Sequence, residues 1–260
     1  MHKKTKKKLN IGIITLGILA ANIKIGYSYS YSYNKEKLKN TNISNKNTTQ
    51  EINNTISENN EKVAYITIDD GPSKYTESII KILNKYNAKA TFFMIDRNMK
   101  NYPEQVKNII ENKNTAGFHS VSHDIHKLYE NDSSAKEEFD VNRQTFYEIT
   151  GKKSYVVRLP YGSKPYAPSE SYETLVEAGY KLWDWDIDTE DWKFNASQII
   201  ENVKGYSKNK NEIVILMHEK KQTVEALDGI LKYLVSEGYQ LLPIDENQKP
   251  QNYWLGNLYE

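Results

Sequence analysis

Two histidines, His119 and His123, are separated by three residues. That spacing lets two imidazoles meet one cation from a single turn of chain. A carboxylate oxygen would complete a two-histidine, one-carboxylate site with positions left open for water, and Asp69 or Asp70 could supply it. Local packing or capping is the competing use of such histidines, but the chain has only five and two of them fall at ligand spacing. Asp69 and Asp70 also precede Gly71-Pro72, turn chemistry that could cap a following helix. The two uses are compatible. A turn at a strand end lets adjacent carboxylates point the same way, whereas a regular strand sends them to opposite faces.

The other reactive side chains also follow apolar runs. Asp69 and Asp70 follow Tyr65-Ile66-Thr67-Ile68, and His119 follows Ala116-Gly117-Phe118. Arg158 ends Tyr155-Val156-Val157, and His218 ends Ile213-Val214-Ile215-Leu216-Met217. Asp188 and Asp191 follow the run through Trp185. Strands are expected at Val63–Ile68, Ala90–Ile95, Thr115–Phe118, Tyr155–Arg158, Tyr180–Trp183, Ile213–Met217 and Tyr239–Leu242. Helical stretches lie between them. Tyr75–Tyr86 sets Ile79, Ile80, Leu83 and Tyr86 on one face, and Val224–Val235 does the same for Leu227, Ile230, Leu231 and Leu234. Strand–helix alternation implies an α/β fold with a mainly parallel sheet or barrel. Seven strands suit an incomplete or distorted (β/α) barrel, in which functional residues gather at the C-terminal strand ends. The reactive side chains would then converge on one rim.

These segments resemble the five signatures of the polysaccharide deacetylase (NodB-homology) family, carbohydrate esterase family 4. Thr67-Ile68-Asp69-Asp70-Gly71-Pro72 is similar to the first and His119-Ser120-Val121-Ser122-His123 to the second. Arg158-Leu159-Pro160-Tyr161, Asp188-Thr189-Glu190-Asp191-Trp192 and Leu216-Met217-His218 are similar to the third, fourth and fifth. All stand in family order. The resemblance implies a divalent metal, zinc or else cobalt, manganese or nickel, held by Asp70, His119 and His123. It makes Asp69 the general base, with Arg158 orienting it. The backbone N–H of Tyr161 becomes an oxyanion donor, and Tyr161 also contacts substrate. His218 becomes the general acid, with Asp191 raising its pKa and fixing its tautomer. Trp192 and Leu216 would line the acetyl pocket and groove. The chain departs from the family at Ile68, where Phe is common, at Leu159, where Pro is frequent, and at Phe118, where Asn is usual. None of these removes a reactive atom. His126, three residues past His123, is read as a loop histidine rather than a ligand. Trp183 and Trp185 are spaced for one strand face and read as core, which leaves Trp192 as the sugar-stacking candidate.

The remaining features bear on organisation. The 260-residue chain is 38% hydrophobic, enough for a core but not for several membrane spans. A net charge of +1 argues against a nucleic-acid partner. It becomes −5 once the six lysines of residues 1–26 are set aside. There is no cysteine, so disulfides and thiolate ligands are excluded. The lysine-rich start and the apolar stretch Ile11–Ala21 form a signal peptide or signal anchor, too short for the roughly 20 apolar residues of a spanning helix. Residues 27–61 read as a disordered spacer, and residues 62–260 as the catalytic domain. The expected protein is an exported monomer at the cell wall or outer membrane face, touching membrane only through an uncleaved N-terminal segment. It would remove N-acetyl groups from N-acetylglucosamine or N-acetylmuramic acid of peptidoglycan. The alternatives are chitin-type oligomers, xylan or exopolysaccharide as substrate, or an inactive carbohydrate-binding module on the same fold.

Overall fold

The stretch from Ala64 to Asp69 is buried at every position, as a strand covered on both faces of a parallel sheet must be. It belongs to β1 (Lys62–Gly71), the centre of the architecture. The computed structural model describes residues 62–258, which lie within one compact unit, Asn60–Glu260. The export segment and spacer expected over 1–26 and 27–61 lie outside the described residues. After β1 come α1 (Thr76–Lys85), β2 (Thr91–Met94), α2 (Asp96–Asn101), α3 (Pro103–Glu111), β3 (Thr115–Phe118), α4 (Ile125–Leu128) and α5 (Ser134–Thr150). The chain continues with β4 (Val156–Val157), α6 (Ser169–Glu177), β5 (Lys181–Leu182), β6 (Ile187–Asp188), α7 (Ala196–Tyr206), β7 (Glu212–His218), α8 (Lys221–Ser236) and β8 (Tyr239–Leu242). No described helix is long and apolar enough to cross a membrane.

All strand pairs are parallel, in the order β5-β4-β3-β2-β1-β7-β6. This seven-strand path is the incomplete barrel expected from the alternation. An eighth strand, β8, pairs with the first half of β1, from Lys62 to Tyr65, while β2 takes Thr67 to Gly71. The expected list lacked β6. Strand β5 ends at Leu182, and Ile187–Asp188 forms a separate two-residue strand against β7.

The helices bury the apolar stripes read from their period: Ile79, Ile80 and Leu83 on α1, and Leu227, Ile230, Leu231 and Leu234 on α8. The core divides by strand alternation. Ala64, Ile66, Ile68, Phe92, Val157, Ile213, Ile215 and Met217 pack outward with the helices. Tyr65, Phe93, Val156, Trp183, Val214 and Ile244 fill the barrel interior. Counting by twos from the interior residues gives Tyr65-Thr67-Asp69, Val156-Arg158 and Val214-Leu216-His218. The interior rows therefore end in reactive side chains. The alternation that builds the core also aims the chemistry inward at the rim.

Strands β4, β5 and β6 have two residues each, so ladder bonds are few on that side. The C-terminal strap 250–258 supplies others. Asp184 N–H donates to Gln251 O at 2.9 Å, Asn252 Nδ2 to Leu182 O at 3.0 Å, and Tyr253 N–H to Asp184 Oδ2 at 2.9 Å.

Candidate active site

Adjacent aspartates on a strand should diverge, and here a bulge brings them together. The β1–β2 register shifts between Asp69 and Gly71, and Asp70 adopts φ 69°. Asp69 Oδ2 and Asp70 Oδ1 then lie 3.6 and 3.8 Å from the same atom, His119 Nε2. Asp70 Oδ1 is also 3.5 Å from His123 Nε2. Neither aspartate caps α1, whose N-cap is Tyr75. The turn is held instead by Glu219, which accepts from Ser73 Oγ at 2.5 Å and from Thr76 Oγ1 at 2.8 Å. Asn98 Nδ2 donates to Asp70 O at 2.8 Å. A Cβ at Gly71 would run into the Glu219 carboxylate, so a side chain there would have to displace the group that holds the turn.

The ligand atoms of Asp70, His119 and His123 lie within 4.8 Å of one another. Asp70 Oδ1 is buried without a hydrogen-bond partner, a costly condition unless a cation or water satisfies it. His119 is buried, and its Nδ1 lies 2.8 Å from Arg158 O. Donation of Nδ1–H to that carbonyl leaves Nε2 free as a ligand. Burial, partly offset by Asp69 and Asp70, lowers the His119 pKa and favours the neutral ring. The donor set and this unsatisfied oxygen fit a divalent cation. The loop carrying His123 is pinned by Glu138 of α5, which accepts from Val121 N–H and Ser122 N–H at 2.9 Å. His126 is exposed and stands on one-turn α4 rather than in a loop; the three-residue ligand cluster does not include it.

Arg158 is fully buried. Its Nη1 donates to Asp69 Oδ1 at 3.0 Å and Thr67 Oγ1 at 2.6 Å. Nε donates to Trp183 O at 3.1 Å and Nη2 to Asp184 O at 2.9 Å. The guanidinium also lies over Phe93, 4.2 Å from its centroid. Such a buried charge needs both its ion pair and its hydrogen bonds.

His218 closes the same cavity. Its Nδ1 is 2.7 Å from Asp191 Oδ1, and its backbone N–H donates to Asp191 Oδ2 at 2.7 Å. Thr223 Oγ1 and Gln222 Nε2 hold Asp191 further. Burial pulls the His218 pKa down. The hydrogen bond and charge of Asp191, with the charges of Asp69 and Asp70, outweigh it and push the pKa up to about 8. Asp188, whose pKa burial raises, lies beside it.

These residues line a cavity of about 540 Å³: Asp69, Asp70, His119, His123, Leu216 and His218 at its base, with Tyr161, Trp192 and Lys220 around them. Tyr161 and Trp192 are exposed at 56% and 58%; Lys193 Nζ lies 5.0 Å from the Trp192 ring centroid, and Tyr161 meets His123 and Tyr166 edge to face. Tyr161 has φ 65° in a turn closed by Gly162 N–H to Leu159 O at 3.0 Å. Trp183 is core; Trp185, off the strand, is partly buried, packs against the same interior cluster and also lines the cavity. Sequence reasoning missed Glu138, Glu219 and Tyr166. Only Glu219, adjacent to His218, carried a signal in its position.

A histidine–aspartate pair and an arginine-held carboxylate beside a two-histidine, one-carboxylate cluster match the class of hydrolases that transfer an acyl group to water. Known proteins agree with that class. The polysaccharide deacetylase family profile matches residues 56–183. A peptidoglycan-N-acetylglucosamine deacetylase of Bacillus cereus is 34% identical over 204 residues, covering 75% of this chain and 74% of its own. A peptidoglycan-N-acetylmuramic acid deacetylase of Bacillus subtilis is 30% identical over 72% of this chain and 39% of its own. The crystal structure of a Bacillus cereus polysaccharide deacetylase superposes with a TM-score of 0.71 at 39% identity, covering 75% of this chain and 98% of that one. The chain belongs to the polysaccharide deacetylase family.

Proposed function

We propose that this enzyme hydrolyses N-acetyl groups on peptidoglycan amino sugars with a divalent metal, zinc by its donor set, held by Asp70, His119 and His123. One observation carries the reading: the arginine-held Asp69 and the aspartate-held His218 face the same cavity as that cluster. A bound cation would polarise the acetyl carbonyl and lower the pKa of water. Asp69, fixed by Arg158, takes the proton of the attacking water. The Tyr161 N–H donates to the developing oxyanion. His218 gives the proton of its Nε2 to the departing amine, and Asp191 accepts from Nδ1–H. Leu216 and Trp192 hold the acetyl group and the sugar face. Acetate and a free amine result. The lysine-rich, apolar N-terminus supports export, with residues 27–61 as a spacer to the wall. Acetate release from purified peptidoglycan, N-acetylglucosamine oligomers and acetylated xylan tests the reading. Release from xylan alone would refute the peptidoglycan assignment.

A further inference from the structure

The proposed oxyanion donor, Tyr161 N–H, stands in a turn of two successive left-handed residues. Tyr161 has φ 65° and Gly162 φ 85°. That region is disfavoured for a residue with a Cβ, and it persists only where the surroundings hold it. Both ends of this turn are fixed. Leu159 is buried, and its carbonyl accepts from Gly162 N–H at 3.0 Å. Ser163 is also buried. Its N–H donates to Asp184 Oδ1 at 2.9 Å and its Oγ–H to Asp184 Oδ2 at 2.5 Å.

Asp184 lies between β5 and β6, outside the five signature segments. It is fully buried and does not line the catalytic cavity. Its Oδ2 also accepts from Tyr253 N–H of the C-terminal strap at 2.9 Å, and its N–H donates to Gln251 O at 2.9 Å. Its carbonyl oxygen accepts from Arg158 Nη2 at 2.9 Å. One residue is thus bonded to the turn, to the strap and to the arginine that holds Asp69. The strap also packs on the turn. Tyr253 Oη donates to Trp185 O at 2.8 Å, and a Cβ at Gly162 would lie 3.1 Å from the Trp185 ring and 3.4 Å from the Tyr253 ring.

We propose that Asp184 is a positioning residue for the oxyanion donor, its carboxylate fixing the end of the Tyr161–Gly162 turn and holding the C-terminal strap against it. This rests on the deacetylase reading and adds to it a residue that the family signatures do not contain. A carboxylate suits the task because its two oxygens accept three donors. Asparagine has the same shape but keeps one acceptor oxygen and turns an NH2 toward the remaining donors. An oxyanion donor acts only on charge that develops in the transition state. A displaced Tyr161 N–H therefore lowers kcat and leaves substrate and metal binding as they were.

The test is acetate release by the zinc-loaded full chain from the N-acetylglucosamine tetramer and from an aryl acetate, with bound zinc measured in parallel. Asp184→Asn should lower kcat about 10–100-fold on both substrates, less than outright loss of an oxyanion donor. KM and bound zinc should stay within about twofold of wild type. Equal loss on the aryl acetate assigns the effect to the oxyanion, since that leaving group needs no proton from His218. Ser163→Ala, which loses the Oγ–H donor and keeps the N–H, should lower kcat on both substrates by roughly threefold. An unchanged kcat in Asp184→Asn, or a loss confined to KM or to bound zinc, overturns the positioning role. Should Asp184→Asn fail to fold, Ser163→Ala decides, and a wild-type kcat there overturns the role. Wild-type protein that releases acetate from neither substrate overturns the deacetylase reading and the role with it.

Discussion

Arg158 serves two signatures at once: its side chain donates to Asp69 Oδ1 at 3.0 Å, and its carbonyl oxygen lies 2.8 Å from Nδ1 of His119. The proposed base and one proposed metal ligand are thus oriented by a single buried residue. Strand alternation places that residue on the interior row ending in Val156-Arg158.

Arg158→Gln therefore should damage stability as well as rate. Removing one partner of a buried ion pair costs about 3–5 kcal/mol, and a domain of this size loses roughly 2–4 °C of Tm per kcal/mol. Thermal unfolding should show Tm lower by about 10 °C. A Tm within 2 °C of wild type (roughly half a kcal/mol) would show that the pair carries little load.

The pH profile follows from His218. An acid must be protonated, so turnover should fall above the His218 pKa of about 8. Asp191→Asn removes the contact that raises that pKa, and the alkaline limb should move to lower pH without loss of all activity. The same shift has a stability sign: a histidine raised in the folded state stabilises below its unfolded pKa, and the gain is lost as pH rises through about 8. An alkaline limb unmoved in Asp191→Asn would assign it to another group.

Glu138 touches no proposed ligand, yet it accepts from two backbone N–H groups of the loop between His119 and His123. Glu138→Ala should weaken metal binding about 10–100-fold, the usual effect of losing an outer-shell support, as read by competition with a chelator. Unchanged affinity would show that the loop holds its shape alone.

The barrel was legible because its strands are continuous apolar runs and each reactive residue sits at the end of one. The bulge at Asp70 was legible only as a turn. Asp-Asp-Gly-Pro allowed both carboxylates to point one way, as they do toward His119, and the resemblance rather than the residues alone singled out Asp70 as the ligand. A two-residue strand such as β6 has no period to read, and without it the sequence showed Trp185 as core but not as part of the cavity wall. Glu138 lies far from the ligands along the chain, and only the packing of α5 brings it to the loop. The strap after β8 gave no signal because its role depends on the open edge it covers.

The division of the chain is tested by truncation. A protein beginning at Glu61 should fold and release acetate from soluble oligomers within about twofold of the full chain, since every residue of the candidate site lies in 62–258. Unfolding on truncation, seen by circular dichroism, would show that residues 1–60 belong to the catalytic unit.

The central claim is that Asp70, His119 and His123 hold the cation on which hydrolysis depends. Its most direct test is acetate release from N-acetylglucosamine oligomers by chelated protein titrated with zinc, with bound metal measured in parallel. Wild type and His126→Ala should recover activity at one zinc per chain. His119→Ala should neither bind zinc nor recover, and Asp69→Asn should bind one zinc yet stay about 10²–10⁴-fold slower. Full zinc occupancy in His119→Ala, or undiminished release by the metal-free wild type, would contradict the account.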